Sequence, residues 1–361
     1  MYFFSVLVLS VILSFLSVNW IKKLGHKYDI LLYPQEDRWH SKPIAVHGGI
    51  GLITSLIVLI LITTAMFSPL GELFDKGSDS ILIRDYYERM IFLIALIGSA
   101  AILFIFGWLD DVFKYRASMR LFVQIIVSTL FIIDIGTFQI SDYYLLNFAY
   151  TLLWFVGIIN ATNLMDCMDG LCSGALLIST LFLLSIILKS TLLGSDQMFF
   201  SYNLILILSG SLVGFLMLNF PPAKIFMGDS GSLPLGFMIA AITFPSDFNG
   251  LNLSNDLLIP ILVPILLLIY PIFDTAFVTI TRIMRGEKFY VGGKDHSCHR
   301  LVNIGFSERR SLFTCYSVTL LGGISALILI TLPNFLIPIV AVNIIALILL
   351  GYFLGKIEIK K

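Results

Sequence analysis

Apolar residues run through this chain in long unbroken stretches, and polar residues are confined to the gaps between them. About eleven stretches are long and apolar enough to read as membrane spans: Tyr2–Ile21, Gly48–Phe67, Met90–Leu109, Leu121–Ile140, Tyr143–Leu164, Leu171–Leu188, Tyr202–Phe220, Leu233–Phe244, Leu257–Ile280, Leu312–Leu332 and Phe335–Leu354. In hydrocarbon only helices and closed barrels satisfy their own backbone, and a barrel would show short alternating strands. The pattern therefore predicts an all-α fold, a polytopic bundle of transmembrane helices. The eighth stretch is short, as if tilted in from a re-entrant segment. The first has no basic lead and no small-residue cleavage site, so it reads as a retained span rather than a signal peptide. With no internal repeat and no low-complexity linker, residues 1–361 read as one domain.

Composition excludes a soluble globular protein: 58% of residues are hydrophobic and only 13% are charged, against about 25% charged in soluble domains. Net charge is zero, but its distribution is lopsided. Nineteen of the 23 Lys and Arg residues fall in segments on one side of the expected bundle. Positive charge marks the cytoplasmic side, so the N-terminus is expected outside and the C-terminus inside. The four cysteines, Cys167, Cys172, Cys298 and Cys315, show no CxxC spacing and suggest no disulfide framework. Each lies near a segment expected in the cytoplasm, where thiols stay reduced.

Four polar clusters fall at span ends on that same side: Gly107–Asp111, Asn160–Gly170, Met227–Ser232 and Asp295–Arg300. Polar groups are costly in hydrocarbon, so their gathering on one face points to a single active site open to one compartment. Asp110 and Asp111 close the third span. A carboxylate there can serve as a base near neutral pH, although an isolated Asp pair beside Lys114 and Arg116 is equally a solvated helix end. Asn160, Asn163, Asp166 and Asp169 recur every third residue, a strip that drifts about 60° per step on a helix. A break near Cys167–Gly170 would let them converge. Their amide and carboxylate oxygens suit Mg²⁺ and phosphate better than a self-capping helix end needs. Gly228-Asp229-Ser230-Gly231-Ser232, after Lys224, allows close backbone approach to phosphates and offers Asp229 as a metal ligand; alone it is also ordinary turn chemistry. His296 and His299 lie in a basic loop that could hold a pyrophosphate, or simply lie on the membrane surface. A zinc site from His296, Cys298 and His299 would lack a fourth ligand and the usual spacing, so Cys298 is assigned neither metal nor catalysis. Asp274 falls inside the ninth span and needs a partner; Arg282 is eight residues on, roughly 12 Å along a helix.

Together these motifs resemble the polyprenyl-phosphate N-acetylhexosamine-1-phosphate transferases. The resemblance runs in order through Arg38–Pro43 and Gly48-Gly49, Asp110-Asp111, Asn160–Gly170, Lys224–Ser232, Pro271–Thr275 and Gly292–Leu301. It implies transfer of a sugar-1-phosphate from a UDP-N-acetylhexosamine, foremost UDP-GlcNAc, to undecaprenyl or another polyprenyl phosphate. UMP is released, and a lipid-linked glycan for cell-envelope polysaccharide is begun. The implied cofactor is Mg²⁺, with Mn²⁺ as a substitute, held by Asp229 and Asn163. Implied catalytic residues are Asp110, Asp111, Asp166 and Asp169. Implied substrate contacts are Lys114, Asn160, Lys224, Gly228, Ser230, His296, His299 and Arg300. Implied partners are the UDP-sugar, the polyprenyl phosphate and membrane lipids, with no nucleic acid and with a homodimer allowed. The implied location is the bacterial cytoplasmic membrane, with the site facing the cytoplasm. Two positions depart from the family pattern: Cys167 stands where Gly is usual, and Cys298 replaces the middle imidazole of a His-x-His-His motif. The amino-sugar branch looks nearer than the phospho-MurNAc-pentapeptide branch. The rival classes are an ion-coupled transporter, whose site would lie nearer the midplane, and an aspartyl protease using Asp229 and Asp274.

Overall fold

The computed structural model describes residues 2–33, 42–66, 80–191, 196–244, 258–288, 290 and 293–357. Arg38–Ser41 and Gly292, from the sequence motifs, lie outside the described residues. Helix α1 (Tyr2–Lys27) leads into a short antiparallel ribbon of β1 (Leu31–Leu32) and β2 (Ile44–Ala45). The helices α2 (Gly48–Met66), α3 (Ser80–Phe113), α4 (Ala117–Ile135), α5 (Tyr144–Met165), α6 (Leu171–Thr191) and α7 (Asp196–Asn219) follow. The chain continues through α8 (Asp229–Thr243), α9 (Leu258–Leu267), α10 (Ile269–Met284), α11 (Ser297–Asn303), α12 (Glu308–Thr331) and α13 (Leu336–Gly355). Among the described residues nine helices are long and apolar enough to cross a membrane, and the bent pair α9–α10 makes a tenth. The protein is thus an all-α polytopic membrane protein.

Two expected spans take unexpected forms. The ninth is broken, with α9 and α10 meeting at 76°. Pro271 has no N–H with which to bond a carbonyl one turn back, at Leu267, and a proline ring disfavours a straight helix there. The Ser179 hydroxyl of α6 donates to that Leu267 carbonyl at 2.6 Å, so the break leaves it satisfied. The eighth, α8, has only 15 residues, roughly 22 Å, and every residue from Ser230 to Thr243 is buried. It packs against α2, α3 and α5 as the central rod of the bundle.

Glycine sets how closely α8 can be approached. A Cβ on Gly49 of α2 would collide with the backbone of Gly231, and one on Gly107 of α3 would collide with the Asp229 carbonyl. No side chain yields in either contact, because both neighbours are main chain. The segment before α8 is fixed as firmly. Ile225 bridges Ala45 in parallel, Phe226 N–H donates to the Ala45 carbonyl, and Gly48 and Gly49 N–H groups donate to Phe226 and Met227.

The last helix is held by a buried cation. Arg300 of α11 is only 2% exposed. Its guanidinium donates to the carbonyls of Leu354 at 2.9 Å, Ile357 at 3.3 Å and Asp295 at 3.1 Å, and lies 4.8 Å from the Phe277 ring centre. The sequence suggested a pyrophosphate grip for Arg300. Here its guanidinium adds hydrogen bonds to the Leu354 and Ile357 carbonyls at the C-terminal end of α13, where positive charge also suits the helix dipole. Arg300→Lys is expected to lower unfolding stability by roughly 1.5–3 kcal/mol, because a point charge cannot bridge three carbonyls. Thermal melting in detergent checks this, and an unchanged melting temperature would refute the capping role.

Candidate functional site

The N-terminal turn of α8 collects acids from two other helices. Asp111, near the end of α3, accepts the Asp229 N–H at 3.0 Å and the Ser230 N–H at 3.1 Å. These are donors that α8 itself leaves unpaired. His47 Nδ1 approaches the same carboxylate at 3.3 Å. Asp166, at the C-terminal end of α5, accepts the Gly228 N–H. Gly228 has φ 74°, and a Cβ there would press on the Asp111 carboxylate, so glycine is required on both counts. Asp110 is almost fully buried, accepts the Tyr115 N–H at 2.7 Å and lies 3.3 Å from Arg120 Nε.

Asp229 lies among these groups. Asn163 Nδ2 donates to its Oδ1 at 2.8 Å and to Ser232 Oγ at 2.9 Å, and Arg120 reaches its Oδ2 at 3.5 Å. Burial, the Asp110 carboxyl bonded beside it and the Asp111 charge push the Asp229 carboxyl up to about 7. Asp166 is raised well above the carboxylate range by burial, then by Cys167, Asp229 and Asp111. Four carboxylates in one small volume repel one another, and a cation relieves that repulsion.

Other residues singled out in the sequence fall nearby or apart. Lys114 ends α3 with φ 54° and is exposed, as is Lys224, whose N–H donates to the Leu218 carbonyl. Ser230 is fully buried, and its hydroxyl has no hydrogen-bond partner among the described residues. Asn160 lies one helical turn back from Asn163, where Nδ2 donates to Gln124 at 2.6 Å and to the Val156 carbonyl, tying α5 to α4. Asp169 accepts the Ala223 N–H at 2.8 Å and so anchors the loop that presents Lys224. The every-third strip thus splits at the turn after α5: Asn163 and Asp166 face α8, while Asn160 and Asp169 brace the scaffold.

The histidine loop closes the same end of the bundle. Asp274, fully buried, is 2.7 Å from His296 Nδ1 and accepts the Ser297 N–H at 2.8 Å. The partner that the sequence left open for this buried acid is thus His296, on the loop after α10. Arg282 forks onto Asp295, which Arg285 also reaches at 2.8 Å. Burial alone would raise Asp295, but the two arginines hold it down to about 2. Burial disfavours a charged His296 ring, yet Cys167 and Asp274 push it up to about 9. His299 lies against Cys167, in the turn that carries Asp166. Sequence reading missed Arg120, His47, Gln124 and Ser232. Arg120 had one usable signal, its place in the first turn of the helix after the Asp pair.

This site belongs to a recognisable lineage. Residues 93–246, which span the Asp pair, the Asn/Asp turn and α8, match the family model described as glycosyl transferase family 4. A probable undecaprenyl-phosphate N-acetylglucosaminyl 1-phosphate transferase of Bacillus subtilis is 30% identical over 86% of this chain and 80% of its own length. A decaprenyl-phosphate N-acetylglucosaminephosphotransferase of Mycolicibacterium smegmatis is 28% identical over 84% of this chain and 76% of its own. A phospho-N-acetylmuramoyl-pentapeptide-transferase of Streptococcus agalactiae is 36% identical, but over only 38% of this chain and 45% of its own. With nearly the whole chain aligned and the acid turn inside the matched region, the protein is a membrane enzyme that belongs to glycosyl transferase family 4.

Proposed function

We propose that this protein transfers N-acetylglucosamine-1-phosphate from UDP-GlcNAc to a polyprenyl phosphate and releases UMP. One observation carries the reading: Asp229 is held between Asn163 and Arg120 at the end of the bundle where the acids of three helices meet. The relatives that align over most of the chain are named for N-acetylglucosaminyl-phosphate transfer to such lipids, whereas the pentapeptide transferase aligns over a minor part. An aspartyl protease would need Asp229 and Asp274 to share a proton, and both Asp274 oxygens are already committed to His296 and Ser297.

In the proposed reaction an oxygen of the lipid phosphate attacks the phosphorus that bears the sugar. The bond from that phosphorus to the bridging oxygen breaks, and UMP departs with the bridging oxygen. Mg²⁺ fits the residues present: Asp229 supplies a carboxylate, three further carboxylates crowd the same volume, and Asn163, whose N–H group now faces Asp229, would turn its amide oxygen to the ion. When bound, Mg²⁺ would offset pyrophosphate and leaving-group charge. Arg120 is the cation of this cluster, and its partly exposed guanidinium can turn from Asp110 and Asp229 onto a phosphate. Asp111 positions the α8 turn through its two backbone bonds, and Asp110, bonded to the Tyr115 N–H, lies beside Arg120. Lys114 and Lys224 offer positive charge at the exposed rim. We place this rim in the cytoplasm, because the basic residues concentrate on it.

Membranes holding the protein, undecaprenyl phosphate and Mg²⁺ are expected to release UMP from UDP-GlcNAc in preference to other UDP-sugars. Asp229→Asn should abolish release with the fold intact. Full turnover by that variant, or UMP release without the lipid, would refute the reading. Because a proton competes with the cation at Asp229, Mg²⁺ affinity should fall about tenfold from pH 8 to pH 6. Calorimetric titration checks this, and a flat profile would remove Asp229 from the cation site. In a background lacking the native cysteines, Lys114→Cys and Lys224→Cys should label from the cytoplasm and Lys189→Cys from outside. The reverse pattern would invert the orientation.

A further inference from the structure

Beside the acid turn, three soft donors meet. Cys167 Sγ lies 3.4 Å from Cys298 Sγ, although the two are 131 residues apart in the chain. The His299 ring is hydrogen-bonded to Cys167, and one donor atom from each of the three residues lies within 4.8 Å of the others. Cys298 and His299 are buried, Cys167 is half-buried, and both cysteines are free thiols.

We propose that Cys167, Cys298 and His299 form a binding site for one borderline-soft divalent cation of the Zn²⁺ class, separate from the hard-cation site at Asp229. Zinc binds thiolate at about 2.3 Å and imidazole at about 2.0–2.1 Å in tetrahedral geometry. Those lengths set two ligating sulfurs about 3.8 Å apart, and a sulfur and a nitrogen about 3.5 Å apart. The observed 3.4 Å between the sulfurs needs to open by only a few tenths of an ångström. A disulfide would need the same sulfurs to close to about 2.05 Å.

Donor chemistry separates the two sites. Two sulfurs and one imidazole nitrogen suit zinc and poorly suit Mg²⁺, which takes oxygen ligands; Asp229 and Asn163 offer the opposite set. Binding releases the two thiol protons and changes no oxidation state. Three protein ligands leave a fourth position for water, on the half-buried side at Cys167. Cys167 directly follows Asp166, and Cys298 and His299 belong to α11. The ion would therefore clamp the turn that carries Asp166 onto α11, adding to the Asp274–His296 contact.

The full-length protein in detergent, reduced with a phosphine and stripped of metal, would be titrated with Zn²⁺ and with Co²⁺ in excess Mg²⁺. One Zn²⁺ per chain is expected, and the Co²⁺ form should show a sulfur-to-cobalt charge-transfer band in the near ultraviolet. Cys167→Ser and Cys298→Ser should each weaken Zn²⁺ binding about tenfold or more, while Asp229→Asn leaves it unchanged. The cobalt band is read on the unaltered chain without turnover, so it decides the matter even if a serine variant fails to fold. A cobalt spectrum lacking that band would overturn the proposal, as would Zn²⁺ uptake that survives loss of both thiols. So would a Cys167–Cys298 disulfide in a protein whose reduced form takes up no metal.

Discussion

The contact between the Asp111 carboxylate and the N-terminal turn of α8 governs the arrangement of the rest. A buried helix start exposes N–H groups that its own backbone cannot pair, and α8 is buried from Ser230 onward. Asp111 fills two of those donors from α3, and Asp166 supplies the Gly228 N–H from α5. Capping across helices, rather than within one, forces α3, α5 and α8 to meet at a single level. The glycines at 49 and 107 follow from this, because main chain lies against main chain there, and Gly228 follows because a Cβ would press on the Asp111 carboxylate.

That solution concentrates negative charge. Two acids are consumed in capping, a third is buried against Tyr115, and Asp229 is left among them with its carboxyl pushed up to about 7. Arg120 and His47 answer part of the charge from α4 and from the segment before α2. The same turn that completes the fold thereby gathers carboxylate oxygens beside the partly exposed Arg120 guanidinium, the charges that the proposed phosphate transfer calls for.

The loop between α10 and α12 reaches the same end by a different route. The break at Leu268 turns α10 so that Asp274 meets His296 at the start of α11, while Arg282 and Arg285 fix Asp295. Charges that look like a solvated basic loop in the sequence are largely spent on one another and on backbone carbonyls. Cys167 and Cys298, 131 residues apart in the chain, end up in contact because this loop packs on the Asp166 turn.

Hydrophobic run length determined the membrane class and most helices, because a bilayer demands apolar segments about 20 residues long whatever their neighbours. The clustering of acids and amides at span ends likewise marked the site, since polar groups persist at a hydrocarbon edge only where something uses them. Local pattern could not say which member of each cluster faces inward. Asn163 and Asn160 differ by one turn, yet one meets Asp229 and the other Gln124. Asp229 and Asp169 both follow polar turns, yet one lies in the pocket and the other pins a backbone amide. Arg300 read as a phosphate ligand, and nothing in the sequence signals that it also bonds the carbonyls of Leu354 and Ile357, more than fifty positions away. Those partners are brought together only by packing, and a side chain's role in a low-dielectric interior is fixed by the partner it finds.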